Sequence, residues 1–170
     1  MPANAPSQPE TPIRETSEGA TLLCPSAQAD MAGGMIFGVN TSTTAVPQIG
    51  YLKEPIPVSE SIIMLTAPVR PGAVFRIAAP CAQSCCAHFD GARCTLAART
   101  VQLLPEAVDA PPPCRIRPNC QWWRQEGRAA CLRCPQVITE PSDPSQQIHM
   151  AAQPPIPIEG LDHLTHAVQD

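Results

Sequence analysis

The chain has 170 residues, a net charge of −4, 22 prolines and nine cysteines, with only 4% aromatic and 15% charged residues. Proline at that frequency removes backbone donors and fixes φ, which excludes long helices and wide central sheets. So low a charge content excludes a highly charged disordered chain, and no run approaches the roughly 20 apolar residues that span a bilayer.

Residues 1–20 place Pro2, Pro6, Pro9 and Pro12 among small and polar residues and read as a disordered tail. The N-terminus has neither a basic stretch nor an apolar core, so no secretory signal is expected and the cytoplasm is the expected compartment. Residues 21–80 carry enough Ile, Val, Leu and Met for a short β-rich region, interrupted by Pro47, Pro55, Pro57, Pro68 and Pro71. Two runs predict strands, Ser61–Thr66 and Ala73–Ile77, joined as a hairpin through Arg70-Pro71-Gly72. Met35–Val39 predicts a further short strand, and Gly33-Gly34 a turn.

Residues 81–135 form a cysteine-rich module. Arg93 to Leu104 has the residues of a helix, and Asn119 is placed to cap a second one from Cys120 to Glu126, with Gly127 ending it. Pro111-Pro112-Pro113 reads as a stiff spacer. Residues 136–170 carry five acidic and no basic side chains and read as a largely disordered tail, with a short helix only at Leu161–Val168. The expected fold is a small, partly irregular α+β domain: a short β region followed by a metal-organised loop-and-helix module.

Eight of the nine cysteines fall within 54 residues, at Cys81, Cys85, Cys86, Cys94, Cys114, Cys120, Cys131 and Cys134. Eight thiols are two sets of four, the number taken by a tetrahedral zinc ion or an iron–sulfur cluster. In a reducing compartment such a density reads as metal-binding rather than as a disulfide framework. Thiolates are soft ligands for either metal. Only Cys131 and Cys134 have the C-x2-C spacing of a zinc knuckle, whereas the adjoining Cys85-Cys86 pair suits larger sulfur separations, and Cys134-Pro135 matches the end of a ferredoxin ligand run. An iron–sulfur cluster for electron transfer or redox sensing is therefore the preferred reading, and a zinc-stabilised protein-interaction module the alternative.

The charge pattern agrees with an anionic centre. Residues 81–135 sum to +3, against −2 before and −5 after, and Arg115, Arg117, Arg124, Arg128 and Arg133 lie among the last four cysteines. Trp122 and Trp123 are placed to shield the centre, or else form ordinary core. With one lysine in the chain, no broad cationic surface for nucleic acid is expected, and a protein partner is the expected one. Cys24, 57 residues before the cluster, reads as a core thiol, so Cys24→Ser is expected to be tolerated while Cys131→Ser disrupts the module. His88 is the best candidate nitrogen ligand; His163 and His166 read as part of a solvated tail. No acid–base pair, nucleotide-binding loop or activated Cys–His nucleophile is recognisable, so an enzyme is the less favoured class.

Cys85-Cys86, then Gly91-Ala92-Arg93-Cys94-Thr95-Leu96, then Pro113-Cys114-Arg115, resembles the motif order of bacterial cysteine-cluster proteins with a zinc- or iron-chelating domain. The likeness covers about 35 residues and implies metal chelation. This chain departs from that pattern in its C-x3-CC start and in adding Cys120, Cys131 and Cys134.

Overall fold

The computed structural model describes residues 20–42 and 48–154. The N-terminal tail, apart from Ala20, and the Leu161–Val168 segment with His163 and His166 lie outside the described residues. A small α+β architecture is seen, built on a four-stranded antiparallel sheet. Its strands are β1 (Leu23–Cys24), β2 (Met35–Asn40), β3 (Ile49–Pro57) and β4 (Phe75–Pro80), in the order β1-β4-β2-β3. β3 carries Pro55 and Pro57 because it is an edge strand, where a missing N–H breaks no ladder on its outer side.

Alternation along the strands gives the sheet two buried faces. Ile36, Ile77 and Ala79 point to one face and pack with Ala27, Leu52 and Ile62. Phe37, Ala78 and Leu23 point to the other and pack with Ile116 and Cys114 of the cysteine module. Arg76, two residues before Ala78, shares that second face and is buried there. The ladders on both sides of β2 shift register between Ile36 and Gly38, and a Cβ at Gly38 would meet Ile49 Cγ2 at 2.7 Å.

The expected hairpin does not form. Residues Glu60–Met64 make α1, because the Ser59 hydroxyl caps it by accepting from Ile62 N–H. Arg70-Pro71-Gly72 starts α2 (Pro71–Val74) instead of turning a hairpin. Proline suits the first helical position, and Gly72 N–H donates to Glu140 Oε2 at 2.8 Å, where a Cβ would crowd the carboxylate. β4 pairs with β1 and β2 on either side.

The helical part comprises α3 (Thr95–Leu103), α4 (Gln121–Glu126), α5 (Arg128–Arg133) and α6 (Gln146–Ala152). The residue capping α4 is Cys120 rather than Asn119, and Gly127, at φ 60°, separates α4 from α5. Leu96, Ala97, Leu104, Trp122, Ala130, Val137 and Ala151 form the shared core. Folded chain therefore continues past residue 135. α6 packs Ala151 into the core, and Arg99 Nε donates to its carbonyl at 3.0 Å, so residues 136–154 are not a tail. Among the described residues no helix is long and apolar enough to cross a membrane.

Candidate metal centre

The cysteines divide by position into two sets of four with one left over. Cys24, Cys81, Cys86 and Cys94 line one cavity of about 500 Å³. Backbone pairing brings the first two together: Cys24 lies opposite Ala79 in the sheet, and Cys81 follows β4 directly, its N–H bonded to Leu22 O. Cys94 enters from the N-cap of α3. Its own backbone is clamped from α4: Gln125 Oε1 accepts from Cys94 N–H at 2.8 Å, and Gln125 Nε2 donates to Cys94 O at 2.9 Å.

Burial pushes the Cys24 thiol up to about 12; the Ser26 backbone N–H opposes this, and the neighbouring Cys81, Cys94 and Cys86 thiols push further. Burial likewise raises Cys94, against the backbone N–H groups of Ala97 and Leu96. Those are the second and third amides of α3, which have no helical acceptor. Cys86 Sγ accepts from His88 N–H at 3.4 Å. His88 Nδ1 stands 3.1 Å from Arg99 Nη2. A guanidinium only donates, so Nδ1 accepts and the neutral ring carries its proton on Nε2. Burial and then Arg99 hold His88 below its ordinary pKa. In that state neither ring nitrogen is free to ligate a metal. Cys85 is exposed and lines neither cavity.

Cys114, Cys120, Cys131 and Cys134 line a second cavity of about 20 Å³ together with Phe37, Tyr51, Ile116, Arg117 and Trp122. Burial pushes Cys114 up to about 11; the Ile116 N–H opposes this, Cys134 and Cys131 add to it, and Arg117 lowers it. Cys120 is raised by burial and Cys131 by burial and Cys134. The N–H groups of Trp123 and Trp122, at the start of α4, and the Arg117 guanidinium beside Cys131 act in the opposite direction.

Arg76 is the most telling neighbour of this second set. It is 1% exposed, donates from Nη1 to Cys134 O at 2.7 Å and from Nη2 to Cys134 Sγ at 3.2 Å, and lies 5.6 Å over the Phe37 ring. Burial works against its charge, but Cys134 and Tyr51 hold its pKa above the ordinary value. No ion pair among the described residues gives it a carboxylate. A buried guanidinium requires an anion, and sulfur is the neighbour that can provide it. Among the described residues three buried N–H groups have no acceptor: Arg76 Nε, Arg117 Nε and Trp122 Nε1.

Of the five arginines between Cys114 and Cys134, Arg117 is the one that faces thiols. Arg115, Arg128 and Arg133 instead donate to backbone carbonyls of Lys53, Asp109 and Leu104. Sequence reasoning missed Arg76, although a charged residue inside an otherwise apolar strand was a signal. It also set Cys24 apart, since 57 intervening residues hide the strand pairing that returns it to the cluster.

The two sets are neighbours. Trp122 lines both cavities, and Leu23, beside Cys24, makes a parallel bridge with Cys120. All nine cysteines are free thiols. Among the described residues no three or more His, Cys, Asp or Glu side chains are grouped so as to hold a metal ion as they stand. The metal-organised character expected of the module is therefore not shown by the fold.

The raised thiols make the metal-free chain sensitive to alkali. The folded state keeps protons on Cys24 and Cys114 past pH 9.0, where the unfolded chain releases them. Above that pH the unfolded state binds fewer protons, so stability falls as pH rises. The slope approaches about 1.4 kcal/mol per pH unit for each such thiol, until Cys114 titrates near 11 and Cys24 near 12. Urea unfolding of chelator-treated protein at pH 7, 9 and 10 checks this; a midpoint that does not move between 9 and 10 contradicts it.

No family model matches the chain, and neither a curated protein nor a solved structure shows significant similarity to it.

Proposed function

We propose that the chain holds two sulfur-ligated inorganic centres, one on Cys24, Cys81, Cys86 and Cys94 and the other on Cys114, Cys120, Cys131 and Cys134. The preferred form is an iron–sulfur cluster at each, serving electron transfer or redox sensing. The observation that carries this reading is the set of buried donors around the second four thiols. Arg76 donates to Cys134 Sγ, and among the described residues three buried N–H groups lack acceptors. Leaving such donors unpaired costs about 1–3 kcal/mol each. Four thiolates around a doubly charged core leave two negative charges, which Arg76 and Arg117 balance. Inorganic sulfide would also supply the missing acceptors, whereas one zinc ion would add none. N–H donors and cations beside cluster sulfurs are among the groups that set reduction potential.

A zinc-stabilised interaction module is the second reading, and the 20 Å³ of the second cavity favours it there. Elemental and spectral analysis of anaerobically purified full-length protein separates the two. The expected result is a brown protein with about eight irons and eight acid-labile sulfides per chain, as two four-iron clusters require. Colourless protein with about two zincs supports the alternative. Neither metal in proportion to chain removes both readings.

A further inference from the structure

The two thiol sets occupy very different spaces. The second lines about 20 Å³, whereas the first lines about 500 Å³, within the range of small-molecule pockets. Four thiols do not by themselves require that excess. Beside the thiols and Trp122 the larger cavity is lined by Met31, Phe89, Leu104, Ile138 and Ile148. Among the described residues no Asp, Glu, Lys or Arg side chain lines it, and its polar groups include uncharged amides and hydroxyls such as Gln28 and Thr139, with the imidazoles of His88 and His149.

We propose that this cavity is a binding site for a neutral, largely apolar small molecule about the size of a fused aromatic ring system, seated beside the first thiol set. An anionic ligand would meet no counter-charge among the described lining residues, and burying an unpaired ion is strongly unfavourable. Apolar walls with a few polar groups are the usual construction of a small-molecule site, the polar groups fixing orientation. Bound there, the molecule meets Cys24, Cys81, Cys86 and Cys94 directly, which makes the first centre the one that touches a ligand. The proposal does not depend on which inorganic core the thiols hold.

Equilibrium dialysis of the full chain, as isolated, tests it with two probes that share a ring system. One is neutral N-phenylnaphthylamine and the other its sulfonated counterpart, anilinonaphthalene sulfonate. The neutral probe is expected to bind at one per chain with a Kd on the order of 100 micromolar, and the sulfonate at least about tenfold more weakly. Filling the cavity with Ile138→Trp, or independently with Met31→Trp, is expected to weaken neutral-probe binding about tenfold or more. Circular dichroism and metal content should be unchanged, and the second variant decides if the first fails to fold. Absence of saturable binding, equal affinity for both probes, or wild-type binding by both folded variants overturns the proposal. Metal content of the same samples separates the two readings. Neutral-probe binding by a chain without metal removes the centres and leaves the cavity site; a loaded chain without binding does the reverse.

Discussion

Cys24→Ser and Cys131→Ser are each expected to remove one centre, and Cys85→Ser to remove none. The first two variants should retain about half the metal of the unmodified protein, and the third all of it. This reverses the sequence-based expectation for Cys24, because strand pairing brings β1 to the end of β4 and places Cys24 with Cys81, Cys86 and Cys94. Cys85 is exposed and outside both sets. Binding to thiolates in small domains is itself folding energy, about 10 kcal/mol or more for a structural zinc site. Loss of either centre should therefore lower the unfolding midpoint by far more than an ordinary core substitution. Metal analysis beside thermal unfolding of the three variants checks this. Full metal in Cys24→Ser, or half in Cys85→Ser, would mean that the grouping is wrong.

The same variants test how close the sets are. Leu23 and Cys120 are bridged, so Cys24 and Cys120 sit on adjoining backbone, and Trp122 borders both cavities. If both hold clusters, the fully reduced protein should give an electron paramagnetic resonance spectrum broadened by interaction between two spins. Each single-centre variant should give a simple one.

What the sequence made legible was local. Cysteine density, the helix over Arg93–Leu104 and the strand at Met35–Val39 all rest on residues near one another in the chain, and α3 and β2 occupy those places. What it hid was pairing between distant segments. Nothing around Cys24 marks it as a partner of Cys81, and the relation exists only through the β1–β4 ladder. The run Ser61–Thr66 has strand composition, but one hydroxyl at Ser59 and the proline-broken chain after it decide for a helix. Similarly, Pro55 and Pro57 argued against a strand that the sheet admits at its edge. His88, the best nitrogen candidate by position, is engaged by Arg99, eleven residues on in α3.

Arg76→Met should be the most damaging substitution outside the cysteines. Arg76, 1% exposed, joins the sheet to the second set through Cys134 O and Cys134 Sγ and also donates to Pro25 O. Methionine fills much of the volume and keeps the contact with Phe37, so the loss is of charge and hydrogen bonds rather than packing. Removing one member of a buried charge pair leaves the other uncompensated, at about 3–5 kcal/mol. Lysine restores the charge but lacks the planar fork that reaches three acceptors from one end, so Arg76→Lys should recover only part of the loss. Denaturant unfolding of loaded protein measures both. If the second centre is a cluster, its potential must also move. Reduction adds negative charge beside Cys134, and the nearby cation favours that state, so Arg76→Met shifts the potential in the negative direction. A structural role alone would lower stability and leave the potential where it was. A centre whose stability and potential are both indifferent to Arg76 would mean that the buried guanidinium has found its anion elsewhere, and the charge argument for the second set would fall with it.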